Sequence, residues 1–129
     1  MTERFVLLLK LNKVQPSGIV PPAMYAEYCG GELVQGYMKL TNTDYAWHVW
    51  VEKDGYQYDI NKMLYKLYNK DFQDLDIKLY KNIPEESKVE SIEGIVKEWE
   101  LYNQDPQKFW KSVPKNIREV KSKIFKSLK

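Results

Sequence analysis

The single histidine of the chain, His48, lies in the stretch Tyr45-Ala46-Trp47-His48-Val49-Trp50-Val51-Glu52, and Asp59 ends the stretch that follows. An imidazole takes up and returns a proton near neutral pH, and a carboxylate beside it fixes its tautomer and stabilises its cation. Together they form the second half of a nucleophile–His–Asp triad. Whether they meet depends on the turn at Lys53-Asp54-Gly55. With Lys53-Asp54 as the loop, residue 48 faces residue 59. With Asp54-Gly55 as the loop, Lys53 faces Tyr56 and Asp59 becomes the diagonal neighbour of His48. A three-residue loop ending in a glycine bulge puts the two on opposite faces.

The rest of the inventory is short. One Cys excludes an internal disulfide and a Cys-based zinc site, and one His excludes the usual multi-His metal centres. No metal or organic cofactor is implied, and any nucleophilic site has to use His48. Two residues qualify as its nucleophile. Ser17, in Gln15-Pro16-Ser17-Gly18, precedes a short helix expected from about Ala23 to Cys29; Cys29 closes that helix before Gly30-Gly31. A helix N-terminus lowers the pKa of a thiol and its C-terminus has the opposite field, so Cys29 stands at the unfavourable end. Ser17 stands at the favourable end but has no resident anion, so it depends on His48 to take its proton. Gln15 or a nearby backbone N–H is a candidate oxyanion donor.

These residues need a scaffold. The chain has 129 residues, the length of one domain, and with 43% hydrophobic and 14% aromatic residues it can fill a core. Its longest apolar run, Phe5 to Leu9, is too short to span a bilayer, and no small-residue cleavage site follows it. A cytoplasmic protein is the expectation. The abundance of Lys, Tyr and Asn suits an AT-rich coding genome, as in a virus or a low-GC bacterium. Segments 32–40, 45–52 and 56–60 read as an antiparallel meander, because Asp-Gly is a strong hairpin signal between aromatic and β-branched runs. A further strand is expected near 76–81. Asn61 is the expected N-cap of a short helix to Tyr68, Pro84 the start of a helix to about Tyr102, and Val113 to Leu128 the last helix. The order predicts an α+β domain: an antiparallel sheet of three to four strands packed with N-terminal and C-terminal helices.

The stretch from Ser17 to Asp59 resembles the core of the transglutaminase-like (papain-like) superfamily. Leu33-Val34-Gln35-Gly36-Tyr37, then Trp47-His48-Val49-Trp50-Val51-Glu52, then Gly55-Tyr56-Gln57-Tyr58-Asp59 are similar to the successive family motifs and cover about a third of the chain. The resemblance implies amide hydrolysis or acyl transfer on a peptide or protein substrate, with His48 as general base and Asp59 as its orienter. The family's Cys enters the helix about twenty residues before the Gly-Tyr pair. Here that count lands near Ser17, so the resemblance also admits a catalytically inactive relative with a binding cleft.

The charge is uneven. Residues 107–129 carry net +7, leaving net −5 on the rest. Within this tail Val113, Ile117, Val120, Ile124 and Leu128 recur at helical spacing, so an amphipathic helix is expected to pack that stripe on the acidic body. Its other face, with Lys115, Arg118, Lys121, Lys123 and Lys126, suits a nucleic acid or an anionic membrane.

Overall fold

The computed structural model describes residues 2–71 and 78–129. Its helices are α1 (Thr2–Leu11), α2 (Val20–Cys29), α3 (Ile60–Tyr68), α4 (Glu93–Gln104), α5 (Pro106–Ser112) and α6 (Lys115–Ser127). Its strands are β1 (Glu32–Lys39), β2 (Asp44–Lys53), β3 (Tyr56–Tyr58), β4 (Leu79–Tyr80) and β5 (Lys88–Glu90). This is the expected α+β class. The antiparallel path runs β3-β2-β1-β4, and β5 adds to β2 in parallel. Part of the strand expected at 76–81 lies outside the described residues; its end is β4.

The β2–β3 hairpin closes through the two-residue loop Asp54-Gly55, with Lys53 opposite Tyr56 and Val51 opposite Tyr58. Both loop residues have positive φ, 52° and 82°, which is the turn whose twist matches that of the flanking strands. β1 pairs with β2 over the whole length of β1, Gly36 directly opposite His48. Only glycine fits there: a Cβ would come within 2.2 Å of the Trp50 ring and 2.5 Å of the Tyr80 carbonyl oxygen. Trp50 thereby lies flat across β1 and is fully buried.

On the side of β2 away from β1, the partners change along the strand. β3 covers residues 51–53 and β5 covers 44–46. Between them, residues 47–50 have no strand partner on that side among the described residues.

Alternation along β2 sends Val49 and Val51 into the main core. There they meet Ala23, Met24 and Ala26 of α2, Phe5, Val6 and Leu9 of α1, and Ile60 and Leu64 of α3. α6 closes this core with Ile124, fully buried, while Ile117, Val120 and Leu128 pack beside it. The expected apolar stripe of the last helix is therefore engaged with the body.

The helix boundaries correct the sequence reading in several places. Segment 84–92 is extended and includes β5, so the helix expected from Pro84 begins at Glu93. A separate helix, α5, stands between it and α6; Asp105 caps it by accepting from the Lys108 N–H, and Pro106 opens it. The N-cap of α3 is Asp59, whose Oδ1 accepts from the Lys62 N–H at 3.2 Å, not Asn61.

Candidate functional site: a histidine–aspartate pair in a sheet-edge cleft

His48 Nε2 lies 2.8 Å from Asp59 Oδ2. The hairpin register makes this contact: Val51 faces Tyr58, so Asp59 follows on the face of His48 as its diagonal neighbour. Asp59 divides its two oxygens, one capping α3 and one holding the imidazole. The cap fixes the carboxylate, and the carboxylate fixes the ring. A carboxylate only accepts, so Nε2 donates, and Nδ1 is left as the basic nitrogen of the neutral ring. The ring also stacks on buried Trp50, at 6.5 Å between centroids and 29° between planes. Trp50 Nε1 in turn donates to Glu52 Oε2 at 3.0 Å. That bond, with the Lys81 ammonium 3.0 Å from the other oxygen, holds the Glu52 carboxyl below its usual range.

The pair opens on a cleft of about 230 Å³ beside the unpaired part of β2. Trp47, His48 and Val49 form one wall, Gly18 and Asn61 another, and Glu90, Ser91, Ile92 and Ile95 a third. The third wall was not legible beforehand, because β5 and the start of α4 lie some forty residues beyond His48. Trp99 of α4 buttresses it by an edge contact with Trp47, ring centroids 6.3 Å apart. Trp47 Nε1 donates to Gln35 Oε1 at 2.8 Å, which fixes the indole. Asn61 Nδ2 donates to the Gly18 carbonyl at 2.9 Å and ties the loop before α2 to α3. Its Oδ1 is buried with no hydrogen-bond partner among the described residues.

Of the two candidate nucleophiles, Ser17 departs from its expected place and Cys29 stands where expected, at the end of α2. Ser17 is exposed and is not part of the cleft wall; its neighbour Gly18 is. Nor does Ser17 open α2. The helix starts at Val20 with Ile19 as its N-cap, because Gly18 at φ 75° turns the chain and Pro21 and Pro22 set the first turn. Ser17 thus lies two residues before the N-cap, upstream of the helix-terminal field. Cys29 ends α2, where Gly30 caps the helix in the left-handed conformation. The Lys53 ammonium donates to the Cys29 carbonyl, so Cys29 sits at the hairpin end of β2. Five residues of strand separate Lys53 from His48, about 16 Å. Cys29 is therefore not the partner of His48. It is half-buried rather than fully enclosed.

Among the described residues, no group of three or more His, Cys, Asp or Glu side chains is placed to hold a metal ion. No described helix is long and apolar enough to cross a membrane. On α6, Lys115, Arg118, Lys123 and Lys126 are exposed. Lys121 departs from the expected basic face. It turns inward, pairs with Glu27, and lies 3.9 Å above the Trp110 ring. No family model, curated protein or solved structure matches this chain.

Proposed function

We propose that the chain is a transglutaminase-like (papain-like) domain that retains the His–Asp pair and its cleft but has no nucleophile at the start of α2. The cleft then holds an amide-bearing ligand without forming an acyl-enzyme. The observation that carries this reading is one juxtaposition. His48, held 2.8 Å from Asp59, lines a cleft that Gly18 also lines, and the helix N-cap that follows Gly18 is Ile19. Neither Gly18 nor Ile19 offers a nucleophilic atom.

A working enzyme is the second reading, favoured by the position of Ser17 one residue from the cleft wall. His48 Nδ1 would take the Ser17 Oγ proton as the oxygen attacks an amide carbonyl, then return it to the leaving amine. A labelling experiment separates the two. Wild-type protein should not be modified at Ser17 by a fluorophosphonate probe; His48-dependent modification there establishes the enzyme.

The domain assignment has its own test. A thiol is installed in a Gly18→Cys, Cys29→Ala, Glu98→Gln variant; the last change removes a carboxylate whose Oε2 would lie 3.5 Å from the new Cβ and would raise the thiol pKa, and because φ at Gly18 is 75°, where a side chain is strained, a native melting transition is verified first. Beside an imidazole at a helix start, this thiol should react with iodoacetamide with a pH midpoint below the free value of about 8.5. His48→Ala should abolish that shift. A thiol that titrates as a free one, or ignores His48, removes the transglutaminase-like reading.

The exposed basic residues of α6 support a narrower claim. Its apolar face is engaged with the core, so a membrane can meet only the lysines. Binding of a polyanion through Lys115, Arg118, Lys123 and Lys126 would then be purely electrostatic and steeply weakened by salt.

A further inference from the structure

We propose that the outer ridge of α1, where Leu7 and Leu11 stand among Arg4, Lys10 and Lys13, is a foot that docks the protein on an anionic lipid bilayer. This extends the reading of α6 as a polyanion-binding helix and rests on it only for the charges of α6. The foot adds an apolar contact, which α6 lacks because its own apolar stripe packs on the core.

Six of the ten residues of α1 are apolar, more than one buried face of a helix can use. Phe5, Val6 and Leu9 take the core. At about 100° of rotation per residue, Leu7 and Leu11 fall on the opposite side, one turn apart. They are 46% and 66% exposed and form a continuous ridge. Folding alone gives no reason to place two leucines there. The neighbouring α3 repeats the pattern with Tyr65 and Tyr68, so the two helices carry four of the eight large hydrophobic side chains exposed among the described residues. Lys10 Nζ lies 6.0 Å from the centroid of the Tyr68 ring, which sets that tyrosine beside the ridge.

The charge around the ridge selects its occupant. Arg4 Nη2 donates to the Ser127 carbonyl at 3.4 Å, which brings the C-terminal end of α6, with exposed Lys123 and Lys126, beside the first turn of α1. Lys13 is exposed past the other end, and Glu3 is the one acidic residue of α1. A second copy of the chain would set two such rings of cations face to face over two leucines each, far short of the roughly 800 Å² per partner of a stable interface. A nucleic acid would pair the cations but leave the leucines in water. An anionic bilayer meets both. The leucines enter the acyl boundary, the long basic side chains reach back to the headgroups, and tyrosine suits the interface between them. A small apolar anchor alone binds a bilayer only marginally, so the leucines and the cations have to act together.

The test sediments the full chain with sucrose-loaded vesicles of phosphatidylcholine, with and without phosphatidylserine, and compares a short duplex DNA at the same ionic strength. The protein should bind the phosphatidylserine vesicles and not the neutral ones. Leu7→Gln with Leu11→Gln should weaken that binding about tenfold or more, and Leu7→Phe with Leu11→Phe should strengthen it. The phenylalanine pair, which keeps the ridge apolar, decides the matter if the glutamine pair unfolds the chain. Three results would each overturn the foot: no binding to phosphatidylserine vesicles, binding indifferent to residues 7 and 11, or tighter binding to the duplex than to the vesicles, which would make nucleic acid the partner. A Lys115→Gln, Arg118→Gln, Lys123→Gln, Lys126→Gln variant keeps the two readings apart. Vesicle binding that needs these cations but not the leucines removes the foot and leaves α6 as a polyanion site, and binding that needs the leucines alone does the reverse.

Discussion

Glu27 and Asp59 each hold a basic side chain, Lys121 in one case and His48 in the other. The Glu27 cluster is closed. Oε1 accepts from Trp110 Nε1 at 2.5 Å, Oε2 pairs with the Lys121 ammonium, and that ammonium is seated on the Trp110 ring. It joins α2, α5 and α6, and every polar atom named in it is spent on this protein. The Asp59 pair is half open. The carboxylate is satisfied by Lys62 N–H and His48, but one imidazole nitrogen has no partner among the described residues, and the ring lines a cleft. The same chemistry thus does two jobs. Where both ends are satisfied internally it fastens helices together, and where one end is left over it can meet a ligand.

Four measurements would break or sharpen that contrast. The largest effect belongs to the fastened side. Ile124 is fully buried behind the Glu27 cluster, so Ile124→Ala should cost about 3 kcal/mol, lowering the melting temperature by roughly 10 °C. An unchanged melting temperature would mean that α6 is an arm rather than part of the core.

The second measurement sets the two carboxylates side by side by urea titration. Glu27→Ala strands an indole N–H and an ammonium that are only partly solvated and should cost about 2 kcal/mol. Asp59→Ala removes a helix cap and should cost about 1 kcal/mol. It should nevertheless abolish the reactivity of the Gly18→Cys thiol, which Glu27→Ala should leave intact. Equal costs and equal reactivity would erase the distinction between the two clusters.

The third concerns alkaline pH. Burial first, and the Glu27 charge second, push the Tyr102 hydroxyl up to about 12 from the ordinary 10.0. The folded state therefore resists ionising this phenol. The resulting stability is intact below pH 10 and is lost as pH rises towards 12, because the unfolded chain releases the proton first. Tyr102→Phe should flatten the fall of melting temperature in that window and leave the acid side alone. A decline just as steep in Tyr102→Phe would assign it to other groups.

The smallest effect is expected at Cys29. Cys29→Ala should move stability by less than about 1 kcal/mol and leave the imidazole NMR signals of His48 unchanged, because the thiol is half-buried at the other end of β2. Shifted His48 signals in that variant would tie the hairpin end of the sheet to the cleft.

What could be read from the sequence follows the range of the interactions. The Asp54-Gly55 turn, the meander and the pairing of His48 with Asp59 are local, and turn chemistry with alternation sufficed to find them. The stripe of α6 was legible from its spacing, but the inward turn of Lys121 was not, since its cause, Glu27, is far away in the chain. The start of α2 was misplaced because two prolines and a glycine fit several loop geometries, and only the packing of Ile19 selects one. β5 could not be seen at all. Lys88-Val89-Glu90 has no pattern of its own, and its parallel pairing with β2 is set by tertiary contact. Ser91 and Ile92, which complete the cleft, follow from that pairing and were hidden with it.

The tight turn between β2 and β3 has a consequence in time. His48 and Asp59 are joined by a two-residue loop, and such hairpins close in roughly microseconds. The wall formed by Glu90, Ser91 and Ile92 needs a much longer loop of chain to return to the same strand. Proton acceptor and orienter should therefore meet early in folding, and the groove around them should be the last thing to take shape. A late folding intermediate would carry the dyad on an edge still open to solvent, and pairing of β5 would be the step that turns a hairpin into a site.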